Sequence, residues 1–64
     1  MNIGDVVRLY CEKCDEDESM TLFGTVIGKN KKNNYYSLQC KTCERFNFYS
    51  QTVVEQMYKR QNGK

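Results

Sequence analysis

A chain of 64 residues is at most one domain. At that size folding buries only about 60% of the surface the unfolded chain exposes, so a staple of disulfides or a metal ion is expected beside the core. The chain has no His for general acid–base work, no Ser-centred nucleophile motif and no Gly-rich phosphate loop, so the sequence does not predict an enzyme. The formal charge of +2 hides a polarised chain: residues 1–28 carry Arg8 and Lys13 against six acidic side chains, a balance of −4, and residues 29–64 carry eight basic side chains against Glu44 and Glu55, a balance of +6.

The opening "MNIGDVVRLY" lacks a basic region followed by an apolar stretch, so no signal peptide is expected, and no run approaches the roughly 20 apolar residues of a membrane span. A cytoplasmic setting with reduced thiols follows as an expectation. "IGDVVRLYC" reads as a first strand, with Ile3, Val7 and Leu9 on the face that leads to Cys11. Next come Cys11 and Cys14 in "CEKC", then "DEDES". Its residues Asp15, Glu16, Asp17 and Glu18 read as a solvated acidic loop, or alternatively as a surface for a basic protein partner.

"MTLFGTVIG" is the second predicted strand, and Gly24 inside it suggests a bulge or sharp bend. "KNKKNN" is turn material and "YYSLQC" a third strand with Tyr36 and Leu38 on one face. "CKTC" then supplies Cys40 and Cys43, and "ERFNFYS" is a fourth strand in which Phe46 and Phe48 are expected in the core. In the last stretch Thr52 stands three residues before Glu55, a capping-box spacing, and Val53, Val54 and Met57 recur at helical intervals. One short helix is predicted, with Lys59 and Arg60 suiting its C-terminal dipole. Residues 1–60 form the single domain, and 61–64 are expected to fray as a flexible tail.

The four cysteines fall into two pairs of identical spacing. Two residues between thiols let a tight turn point both sulfurs at one ion, and two such turns complete a tetrahedral Zn²⁺ site with no open position for water or substrate. An up-and-down order of the strands brings both pairs to one end, where one structural Zn²⁺ held by Cys11, Cys14, Cys40 and Cys43 ties two hairpin ends together. Iron in a rubredoxin-like site and a redox dithiol are the alternatives. "CEKCD" and "CKTCE" lack the Pro and Gly usual in rubredoxin knuckles, and no βαβ pattern accompanies either CxxC. Four thiolates with one Zn²⁺ bring the net charge near zero, so any contact with nucleic acid must be local.

With each pair at a hairpin end, the chain resembles a zinc ribbon, although no Gly follows Cys14 or Cys43. "GDVV", "FGTVIG", "YYSLQ" and "FNFYSQTVVEQM" also resemble the cadence of small SH3-like barrels. The fold expected is therefore small and mainly β: a four-stranded antiparallel meander or SH3-like barrel, a four-cysteine zinc site joining two hairpin ends, and a short C-terminal helix. The resemblances imply a module that docks nucleic acid or protein segments in transcription and rarely catalyses anything.

Two functions of different class are carried forward. The first is a nucleic-acid or transcription-associated module. Lys29, Lys31, Lys32, Lys41 and Arg45 would neutralise phosphates, and Tyr35 and Tyr49, which alternation puts on the exposed face, would stack bases. The alternative is a protein-binding adaptor or inhibitor of a larger machine such as RNA polymerase, offering it the acidic run Asp15 to Glu18, a sheet edge or the terminal helix. Neither requires a membrane or a small-molecule substrate.

Overall fold

In the computed structural model, which describes residues 1–28 and 34–63, the alternation of apolar residues becomes four strands and one helix. The strands are β1 (Val6–Cys11), β2 (Glu16–Ile27), β3 (Asn34–Cys40) and β4 (Phe46–Ser50), and helix α1 is Gln51–Asn62. They form one antiparallel sheet in the order β1-β2-β3-β4. Period-2 alternation places Val7, Leu9 and Cys11 of β1, Met20 and Leu22 of β2, and Tyr36, Leu38 and Cys40 of β3 on one buried face.

The strand ends depart from the expected boundaries for local reasons. Gly4 takes φ +98° in a turn in which the Asp5 N–H donates to the Asn2 carbonyl, and Ile3 ends up exposed instead of continuing the inner face of β1. Three of the four residues of the acidic run, Glu16 to Glu18, are strand and not loop. Cys11 pairs with Glu16, so the connection is only residues 12–15, and Glu16, Asp17 and Glu18 enter the ladder opposite Cys11, Tyr10 and Leu9. Further along β2 the register shifts between Leu22, opposite Leu38, and Gly24, opposite Ser37. Phe23 is the extra residue of this bulge, at the bend signalled by Gly24.

In β4 the expected phase is inverted. Asn47 faces inward at 9% exposure, whereas Phe46 and Phe48 lie on the outer face at 44% and 61%. Tyr49, expected on the exposed side, is half-buried, and its hydroxyl donates to the Tyr10 carbonyl across the two edge strands. Among the described residues β1 and β4 have no backbone ladder between them, so the sheet is an open meander. It curls far enough for side chains of β4 to reach β1.

Helix α1 leaves β4 at the end opposite the cysteines and packs mainly on β1, with Val54 fully buried and Met57 and Tyr58 against the core. Val53 faces solvent. Because the helix starts at Gln51 with Ser50 as N-cap, Thr52 lies inside the first turn and the capping box does not form. Glu55 instead accepts the Tyr36 hydroxyl proton, with the Met1 amino group 3.5 Å away.

The helix also runs past the expected boundary, through Gln61 and Asn62. The Gln61 side-chain amide brackets the Arg8 peptide: its Nε2 donates to the Arg8 carbonyl at 2.8 Å and its Oε1 accepts from the Arg8 N–H at 2.8 Å. That amide occupies the free edge of β1 much as another strand would. No helix among the described residues is long and apolar enough to cross a membrane.

Candidate metal centre

The β1–β2 and β3–β4 connections emerge at the same end of the sheet, and each is a CxxC turn. The two turns share one geometry. The Asp15 N–H donates to the Cys11 carbonyl at 2.8 Å and the Glu44 N–H to the Cys40 carbonyl at 2.9 Å. Asp15 and Glu44 then take left-handed φ values of 57° and 65°. This is the position at which the sequence lacks the usual Gly. An acidic residue adopts the required conformation instead, at roughly 1 kcal/mol or more for each. At Asp15 a hydrogen bond from the Tyr10 hydroxyl to Oδ1, 2.6 Å long, helps to hold it.

The turns bring the four sulfurs within 4.8 Å of one another. Cys11 and Cys43 are 3.6 Å apart and Cys14 and Cys40 3.9 Å apart, sulfur to sulfur. These separations are far too long for disulfides. A tetrahedral ion with Zn–S bonds of about 2.3 Å requires sulfurs about 3.8 Å apart, which the two pairs bracket. The donor set therefore fits one metal ion of the kind that four thiolates select, zinc or iron. Sulfur would fill all four positions of a tetrahedral ion held there.

Electrostatics within the cage are uneven. The backbone N–H of Cys14 favours the thiolate and brings the Cys11 thiol down to about 7 against the opposing effect of burial, with Cys43 and the Lys13 N–H lowering it further. Burial pushes the Cys14 thiol up, and hydrogen bonds with the neighbouring cysteines add to this. The chain itself thus favours the charged form of Cys11 and disfavours that of Cys14, while a bound cation would draw protons from all four.

Asn47 completes the cage from below. Its Nδ2 lies 3.9 Å from the Cys11 sulfur, 3.8 Å from the Met20 sulfur and 3.4 Å from the Arg45 carbonyl. A buried amide donor aimed at a ligand sulfur favours the thiolate and fixes its orientation. Sequence reading missed this residue. The available signal was a lone polar side chain between two phenylalanines in an apolar strand.

Around the cage the knuckles are tied to each other and to the sheet. The Lys41 N–H donates to the Ser19 carbonyl, and the Thr42 hydroxyl donates to Glu18 Oε1 at 2.7 Å. Arg45 lies 3.9 Å from Glu12 of the other knuckle, both solvent-exposed, a pairing worth little.

The remaining predicted site residues separate into groups. Lys41 and Arg45 are exposed at the second knuckle, and Tyr35 is exposed at the start of β3, the end away from the cysteines. Tyr49 is committed to Tyr10. Asp15 and Glu18 are engaged by Tyr10 and Thr42, leaving Glu16 and Asp17 free of side-chain hydrogen bonds among the described residues. Lys29, Lys31 and Lys32 lie outside the described residues. No protein-family model matches the chain, and no curated protein or solved structure matches it.

Proposed function

We propose that this chain is a small binding module of zinc-ribbon type, without catalytic activity, in which one structural Zn²⁺ fixes a curled sheet that contacts nucleic acid in a transcription-associated, cytoplasmic setting. The observation that carries the reading is the closed cage of four sulfurs joining two hairpin ends. It uses every ligand position for structure and leaves the outer surface of the sheet for recognition. Zinc is favoured over iron because, with no redox chemistry of its own, it suits a site whose role is to hold two turns together.

Lys41 and Arg45 supply cations at the cage end, and Tyr35 supplies an exposed ring. Binding of the metal-loaded protein to single-stranded and duplex oligonucleotides across a salt series tests the reading. An affinity that falls log-linearly with salt supports phosphate contacts, and no binding even at low salt removes nucleic acid as the partner.

A second reading, an adaptor or inhibitor on a larger machine such as RNA polymerase, is favoured by one observation. Glu16 and Asp17 are both exposed at the start of β2, on opposite faces of the strand and next to the first knuckle. Reversing both charges would then abolish capture of the purified polymerase while leaving metal content unchanged.

A further inference from the structure

The metal site leaves the outer face of β2, β3 and β4 unexplained. Register places Gly24, Ser37 and Phe48 in one row across the sheet, Tyr35 beside Ser50 in the next, and Gln39 beside Phe46 on the other side. Phe46, Phe48 and Tyr35 therefore stand on one face, each about 7 Å from the next along or diagonally across the strands. Their exposures are 44%, 61% and 37%. Phe23, pushed out by the bulge, meets Phe46 edge to face with centroids 5.2 Å apart and planes at 88°.

Most neighbours of these rings are small or amide-bearing, the exception being Val26, which stands opposite Tyr35 at 41% exposure. Ser37 and Gly24 beside Phe48, and Ser50 beside Tyr35, leave the ring faces bare and place hydroxyls at their rims. In β2 the carboxylates occupy only the stretch up to Glu18, nearest the cysteines, and from Thr21 to Ile27 the strand bears no charge. Cations stand at the edge of the patch, Arg45 next to Phe46 in the chain and Lys41 on the adjoining knuckle, both exposed.

We infer that this face is a stacking platform for single-stranded nucleic acid, with bases on Phe48, Tyr35 and Phe46 and the backbone passing toward Lys41 and Arg45. The inference rests on the nucleic-acid reading above and narrows it. Rings exposed on the outer face of the sheet can receive unstacked bases, whereas a duplex hides its base faces within the stack. Rings set among serines and an amide, with cations at the rim and Glu12, a carboxylate beside Phe46 and Phe48, paired with Arg45, suit a polyanion with flat bases better than a second apolar surface.

The test uses the metal-loaded full chain, a labelled single-stranded oligopyrimidine and a duplex hairpin of equal length. The single strand is expected to bind at least about tenfold more tightly than the duplex. Phe48→Ala and Tyr35→Ala should each weaken single-strand binding roughly tenfold, with Phe48→Tyr retaining it and Phe48→Leu not. Phe48 is outside the core, so metal stoichiometry should be unchanged in these variants. Lys41→Ala should instead lower the salt slope by about 0.7.

Equal affinity for duplex and single strand, with the ring variants unaffected, would overturn the platform while leaving nucleic-acid binding standing. No binding to either probe at low salt would overturn both. A dimer in sedimentation that Phe48→Ala dissociates would assign the face to a second copy of the chain and overturn the inference.

Discussion

Asp15 and Glu44 occupy equivalent places in the two knuckles, each following the second cysteine of its pair, and both hold the left-handed backbone conformation with φ 57° and 65°. The chain thus repeats at its two ligand turns a conformation that side chains disfavour. The matching carbonyl bonds from Asp15 to Cys11 and from Glu44 to Cys40 show that the turn geometry, not the side chain, sets it.

Relief of that conformation is measurable. Glu44→Gly should stabilise the metal-loaded protein by about 0.5–1 kcal/mol, the left-handed penalty reduced by the extra freedom of Gly in the unfolded chain. Glu44→Ala should give no such gain. Chemical denaturation of the two variants checks this, and equal stabilities would mean that the turn imposes no penalty at residue 44.

Asn47 is predicted to act through Cys11. Asn47→Leu keeps the volume and removes the amide donor 3.9 Å from the sulfur. Loss of such a partner commonly weakens metal affinity by about 10–100-fold. Competition against a chelator of known affinity reads this directly, and Co²⁺ loaded in place of Zn²⁺ should show a shifted thiolate charge-transfer band. Unchanged affinity and spectrum would reduce Asn47 to a packing residue.

The bond between Tyr36 and Glu55 gives a pH signature. The Glu55 carboxylate accepts the phenol proton and, with burial adding to it, raises the Tyr36 hydroxyl from 10.0 to about 12. The folded state therefore holds this proton more tightly than the unfolded state. Its contribution is complete below pH 10 and is lost as pH rises from there through about 12. Tyr36→Phe should lower stability at neutral pH by about 1 kcal/mol. The difference between variant and parent should shrink over that alkaline window. A constant difference would place the effect in packing.

Gln61 is predicted to seal the edge of β1. Gln61→Ala removes both hydrogen bonds to the Arg8 peptide and should destabilise the fold by roughly 1 kcal/mol, with faster hydrogen exchange at the Arg8 amide. Exchange at Arg8 that did not change would mean the C-terminal turn is not docked in solution.

Much of this was legible in the sequence because it depends on short-range pattern. Identical CxxC spacing, Val7 and Leu9 leading to Cys11, Tyr36 and Leu38 leading to Cys40, and Gly24 at a bend were enough to place four strands in up-and-down order with the thiols at one end. What failed depends on register. The knuckle closes at Cys11 and Glu16 and so draws the acidic run into a strand that its composition disfavours.

Likewise the turn from Cys40 to Arg45, closed by the Cys40 N–H on the Arg45 carbonyl, fixes the phase of β4. That phase turns Asn47 inward and two phenylalanines outward, against the usual rule of burial. The helix start shows the same limit. The Thr52 and Glu55 spacing is a local signal, but β4 passes directly into the helix, its N-cap two residues earlier at Ser50, and Tyr36 takes the carboxylate.

The central claim is that four cysteines hold one metal ion that makes the two hairpin ends a single unit. Native mass spectrometry of protein prepared under reducing conditions, before and after exposure to a strong chelator and paired with circular dichroism, tests it most directly. One Zn²⁺ per chain, with loss of the sheet signal when the ion is removed and recovery when it is restored, is the predicted result. A chain that carries no metal, or that keeps its fold and unfolding midpoint unchanged after the chelator strips the ion, would contradict it.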